Sequence, residues 1–132
     1  MEHTAEQYFI QTFIRKDRRD RLLFELGTVK RRYDGLSRFC HQSEKLLDPA
    51  KVVLSGADLE FRPDFLRFTQ QHNESCLILS PDPGMDNQTM QLEDAIRMAA
   101  GFHDAVIIIG NTFAIVFGEP VKGGRDKFLL SE

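Results

Sequence analysis

The chain has 132 residues, 42% of them apolar, with eleven Phe and no Trp. A chain of this size buries roughly two-thirds of its unfolded surface and needs neither disulfides nor metal to fold; its composition is globular rather than disordered, and two cysteines, Cys40 and Cys76, do not make a disulfide scaffold. The net charge of −3 and a pI of about 5.8 argue against a uniformly basic nucleic-acid-binding chain.

The N-terminal stretch "MEHTAEQYFIQ" lacks the basic lead and apolar core of a secretory signal. Thr4 with Gln7 three residues on forms a capping-box pattern, so a helix is expected from Ala5. Phe9, Ile10, Phe13 and Ile14 share one face of it. Extended at 100° per residue, the same helix would carry Leu22, Leu23 and Leu26 roughly 160° away from that face. One straight helix cannot bury both stripes, so a break is expected near Asp17–Asp20, with one of these acids as the second N-cap. Gly27 suits the end of that second helix.

Thr28 is placed to cap a third helix, with Val29, Tyr33, Leu36 and Cys40 on one stripe and Phe39 beside them. Gly35 inside it costs about 1 kcal/mol against Ala. Asp48–Pro49 punctuates after Leu47. "KVVLS" (51–55) reads as an edge strand or a buried turn, and Pro63 opens a helix to about His72 with Phe65, Phe68 and Thr69 inward. "CLILS" (76–80) reads as a buried strand, and "PDPGMDNQ" (81–88) as a loop. "MQLEDAIRMAAG" is an amphipathic helix with Leu92, Ile96 and Ala99 inward.

Two strongly β-forming runs flank Gly110–Asn111, a two-residue hairpin signal. Their near-continuous apolar character, residues 105–109 and 113–117, suggests a sheet covered on both faces or used in a dimer. "PVKGGRD" turns the chain and "KFLLS" (127–131) adds a strand. The most apolar run, Ala105–Gly118, has 14 residues, whereas a membrane helix needs about 20.

These elements predict a single α+β domain over 1–132, helical over about 4–47 and mixed over about 48–132. Its N-terminal helices would pack on a mainly antiparallel C-terminal sheet of three to four strands with one intervening helix. The helix, Gly-Asn hairpin and final strand resemble parts found in many small bacterial α+β proteins. No family's functional residues are carried over. With no membrane segment expected, a cytoplasmic location follows.

Residues 1–47 hold ten Lys/Arg and seven Asp/Glu, whereas 48–132 hold seven and thirteen. The excess is sharpest from Arg15 to Arg38, nine basic residues against four acidic. Arg15, Arg18, Arg19, Arg31 and Arg38 are therefore the candidate polyanion-binding residues. They also fall opposite the apolar stripes, where any amphipathic helix keeps its solvated side chains.

Other chemistry is weakly signalled. Cys40–His41 with His72 and Cys76 has poor zinc spacing, and both cysteines continue apolar patterns. Asp82, Asp86 and Asn87 lack the order of a calcium loop. "KGGR" (122–125) is followed by a strand rather than a P-loop helix. No nucleophile elbow occurs. The sequence thus predicts a non-catalytic protein-binding or regulatory module with no metal or cofactor, acting on a protein partner or on a second copy of itself. The alternatives are nucleic-acid binding through 15–38 and an enzyme with its site near loop 81–88.

Overall fold

The computed structural model describes residues 4–132. Residues 1–3, the start of the stretch read as lacking a secretory signal, lie outside them. The fold is α+β with one antiparallel sheet. Three helices come first: α1 (Ala5–Phe13), α2 (Lys16–Leu26) and α3 (Val29–His41), followed by a single turn, α4 (Ser43–Leu46). Strand β1 (Val52–Ser55) precedes α5 (Pro63–Gln71) and β2 (Ser75–Leu79). Then come β3 (Thr89–Gln91), α6 (Leu92–Gly101), β4 (Val106–Ile109), β5 (Phe113–Phe117) and β6 (Lys127–Ser131).

The sheet has six strands in the order β1-β6-β5-β4-β2-β3, where three to four were expected. Two helices, α5 and α6, intervene among the strands instead of one. The unexpected strand, β3, is the polar triplet Thr-Met-Gln. Its extended form comes from pairing with β2 (Ser75↔Gln91, Leu77↔Thr89), a tertiary contact that local propensity does not carry.

Alternation along the central strands sends side chains into two separate cores. Ile107, Ile109, Ala114, Val116 and Leu130 pack under α1–α4, against Phe9, Phe13, Leu36 and Phe39. Val106, Ile108, Phe113, Ile115 and Leu129 pack under α5 and α6, against Phe65, Leu92, Ala95 and Ala99. Both faces of the apolar hairpin are therefore covered within the chain, which removes it as a reason to expect self-association. Each fully buried Phe or Leu contributes roughly 1.5–3 kcal/mol.

The helical break falls earlier than expected. Thr4 and Gln7 form the full capping box of α1, but the helix stops at Phe13 and α2 starts at Lys16 with Arg15, not an acid, at its N-cap. Ile14 is extended and bridges Leu47. Arg15 N–H donates to the Leu46 carbonyl at 2.8 Å and Asp48 N–H to the Phe13 carbonyl at 2.8 Å. A long-range clamp sets the break, and the acids at 17 and 20 stay on the surface of α2.

In α3 the apolar stripe is only half covered. Leu36 and Phe39 are buried, whereas Val29 is 95% exposed and Tyr33 63%. The covered face of α3 runs through Gly35, Leu36 and Phe39, with the half-buried Arg32 on the same side, and Val29 and Tyr33 lie beside it. Gly35 sits where α3 crosses α2; a Cβ there would lie 3.0 Å from Glu25 Cβ and 3.0 Å from Leu26 Cδ2. The residue read as a helical defect is what lets the two helices approach. Gly110 likewise leaves no room for a side chain, since a Cβ would meet the Phe113 ring.

Candidate binding groove

The clamp at the α1–α2 joint also builds a concavity. It holds Arg15 beside α4, where Arg15 Nη2 donates to the Glu44 carbonyl at 2.9 Å. Three open hollows meet around Glu44. One, of about 420 Å³, is lined by Arg15, Asp17, Arg18, Glu44 and Lys45. The next, also about 420 Å³, has an apolar floor of Leu47, Pro49, Val52 and Phe128, with Arg15 and Glu44 at its rim. The third, about 430 Å³, runs past Ser55–Ala57 to the β5–β6 connection, where Val121–Asp126 form its wall.

Arg15 is shared by the first two hollows, Phe128 by the last two, and Glu44 by all three. These shared residues set the three hollows side by side, as one grooved surface next to β1, which has a strand neighbour on one side only. A bulge between Val52 and Leu54 in the β1–β6 register shapes this edge. In a regular strand these two residues would share a face. Here Val52 packs on the α1–α4 side and faces the groove, while Leu54 packs with α5 and α6.

Arg125 shapes the far wall. Its Nη1 donates to the Ala99 carbonyl at 2.6 Å, Nη2 to the Asp104 carbonyl at 2.9 Å, and Nε to the Gly118 carbonyl. The guanidinium lies 5.2 Å from the centre of the Phe117 ring. All three hydrogen-bond partners are backbone carbonyls, one for each guanidinium nitrogen, and among the described residues no carboxylate forms an ion pair with it. Burial disfavours that charge and lowers its pKa, opposed by Glu60 and Asp104. Gly123 and Gly124, at φ 100° and 139°, make the tight turn that exposes Lys122 beside it.

The groove therefore carries six cations (Arg15, Arg18, Lys45, Lys122, Arg125 and Lys127) against three acids, Asp17, Glu44 and Asp126. Lys127 is answered from outside by Glu60, at 2.7 and 2.8 Å. Among the described residues neither Lys45 nor Lys122 takes part in an ion pair.

The five arginines singled out by charge divide. Arg15 and Arg18 meet in the groove. Arg19 Nε donates to the Ile14 carbonyl at 2.9 Å. Arg38 borders the same small crevice as Arg18, but both oxygens of the buried Glu25 occupy it, at 3.1 and 2.8 Å. Arg31 stands on the first turn of α3, 3.8 Å from Asp34, and lines none of the three hollows. Lys45 and Lys122 were missed because they come from separate segments of the chain, and no local pattern joins them.

The other candidate residues are engaged elsewhere. Cys40 Sγ lies 3.5 Å from Asp104 Oδ1, and burial with that charge pushes its pKa up to about 11. Cys76 is buried, and its pKa is pushed up to about 12 by burial and then by Glu74. His41 Nε2 contacts Glu119 at 2.8 Å, and the His72 ring stacks on Phe68 at 4.0 Å. Among the described residues no group of three or more His, Cys, Asp or Glu is placed to hold a metal ion.

In the loop at 81–88 the carboxylates hold the chain together. Asp86 receives Arg32 Nε at 2.7 Å and Nη2 at 3.1 Å, and also the Ser80 N–H at 3.2 Å. Asp82 accepts from Gly84 N–H at 2.8 Å and faces His103 at 3.1 Å. Arg32 reaches Glu6 as well, at 2.7 Å, so one guanidinium ties α1, α3 and the loop. Among the described residues no helix is long and apolar enough to cross a membrane. No family model, curated protein or solved structure matches the chain.

Proposed function

We propose that this protein is a non-catalytic binding module that receives a segment of another protein in the groove beside β1. The observation that carries the reading is the junction of three hollows at Glu44, which gives an apolar floor flanked by cations at both ends. Interfaces combine such an apolar centre with a polar rim. Among the described residues, Cys40, Cys76 and His72 are engaged in packing, Asp82 and Asp86 in turn geometry, and His41 and His103 pair with Glu119 and Asp82. That supports binding over chemistry.

The test places a photo-crosslinking amino acid at Lys45, at Lys122 and at Arg97, an exposed residue of α6 on the opposite layer. In cells, Lys45 and Lys122 are expected to give adducts of one and the same protein, with none from Arg97. Adducts arising equally from Arg97, or nucleic acid captured at both groove positions, would contradict the reading.

A further inference from the structure

We infer that the groove's occupant is an extended peptide segment with acidic residues on both sides of an apolar one; this rests on reading the groove as a protein-docking site. The sign of charge changes along the groove. Arg15, Arg18 and Lys45 stand at one end with Asp17, which lies 4.0 Å from Arg18; Glu44 borders all three hollows; and Lys122 with the carbonyl-held Arg125 stands at the other end with Asp126, so cations outnumber acids at both ends. The floor between them is apolar, and Phe128 within it is 9% exposed.

A polyphosphate backbone repeats one negative charge at every step and would set phosphates against Glu44. Single-stranded nucleic acid also binds on exposed aromatic platforms, and among the described residues Phe128 is the only aromatic side chain lining the three hollows. A peptide can vary its charge from residue to residue. It can place carboxylates on the two cationic ends, an aliphatic side chain on Leu47 and Val52, and a cation or backbone N–H opposite Glu44.

A second copy of the chain fits less well. Edge-to-edge pairing about a two-fold axis would set the cations of one groove against those of the other. The β1 edge is also only four residues long and bulged, a form that discourages strand-on-strand association.

The experiment is display selection of random 12-residue peptides on the whole chain, followed by fluorescence anisotropy with the labelled winners. Selected peptides are expected to place Asp or Glu on both sides of an aliphatic residue. They should bind at least ten-fold more weakly to the double variant R18E/K122E, lose affinity in high salt, and bind R97E as they bind the parent. Circular dichroism of R18E/K122E checks that it folds; both side chains are exposed.

Neutral or basic winners that still lose binding on Lys45→Glu or Glu44→Arg would overturn the acidic-ligand inference and leave the groove reading standing. Winners indifferent to every groove variant, or a selection that enriches nothing, would overturn both. A labelled 12-mer of oligouridine that binds more tightly than the winners and displaces them would assign the groove to nucleic acid. Concentration-dependent dimerisation abolished by Lys45→Glu would assign it to a second copy. Either result overturns the inference.

Discussion

Arg38 grips both carboxylate oxygens of Glu25 across the contact between α2 and α3, at 3.1 and 2.8 Å, and the Glu25 side chain is only 7% exposed. The pair turns one of the most conspicuous basic residues of the sequence into part of the helical layer. Bidentate bonds of this kind are stronger than neutral ones, and removing one partner strands a buried charge. Arg38→Gln and Glu25→Gln are each expected to cost about 1–3 kcal/mol in urea unfolding. A double-mutant cycle should give a coupling of at least about 0.5 kcal/mol, and additive losses would deny the contact.

Gly35→Ala sets two effects against each other. Helix propensity alone favours Ala by about 1 kcal/mol. The new methyl group would press on Glu25 Cβ, which is fixed to the backbone of α2, and overpacking of this kind costs about 1–3 kcal/mol. The net expectation is a loss of up to about 2 kcal/mol in chemical denaturation. A gain in stability would show that the helices separate freely at this crossing.

The uncovered start of α3 gives a direct contrast. Val29→Ser is expected to shift stability by no more than about 0.5 kcal/mol, because Val29 is 95% exposed. Leu36→Ala, two turns along the same stripe, should cost about 2–5 kcal/mol because that side chain is 2% exposed. Equal losses at the two positions would mean that Val29 is buried in solution.

The thiols give a pH signature. Burial raises Cys76 from 9.0 to about 12, and burial with the Asp104 charge raises Cys40 to about 11. Below pH 9 the folded and unfolded chains both hold these protons. Above it the unfolded chain releases protons that the folded chain keeps, so stability is expected to fall as pH climbs from 9 toward 12. The decline should be shallower in a variant with Ala at both positions. At pH 8 a disulfide-exchange reagent should label Cys76 far more slowly in the folded chain than in urea.

The elements set by local chemistry were legible. Thr4 and Gln7 announced α1 and Pro63 announced α5; Gly110–Asn111 marked the β4–β5 hairpin, but Gly110 pairs with Phe113 and the two residues at the tip are Asn111 and Thr112. What was not legible is set by distant contacts. The break at Ile14 is held by Leu46–Asp48, and β3 exists because β2 lies beside it. Amphipathic phasing put Val29 and Tyr33 on the buried stripe of α3, but both are exposed, because the covered face is centred on Gly35, Leu36 and Phe39. The groove shares that difficulty: Arg15 and Arg18 were singled out by charge, while Lys45 meets them through the clamp on α4, and Val52, Lys122 and Phe128 through the sheet order.

Docking in the groove is tested most directly by a backbone amide map by NMR while the tightest selected peptide is added to the labelled chain. Shifts are expected in α4, in residues 47–57 and in residues 121–128, with those of α5 and α6 unmoved. Shifts centred on Phe24, Val29 and Tyr33, or on α5 and α6, would contradict it.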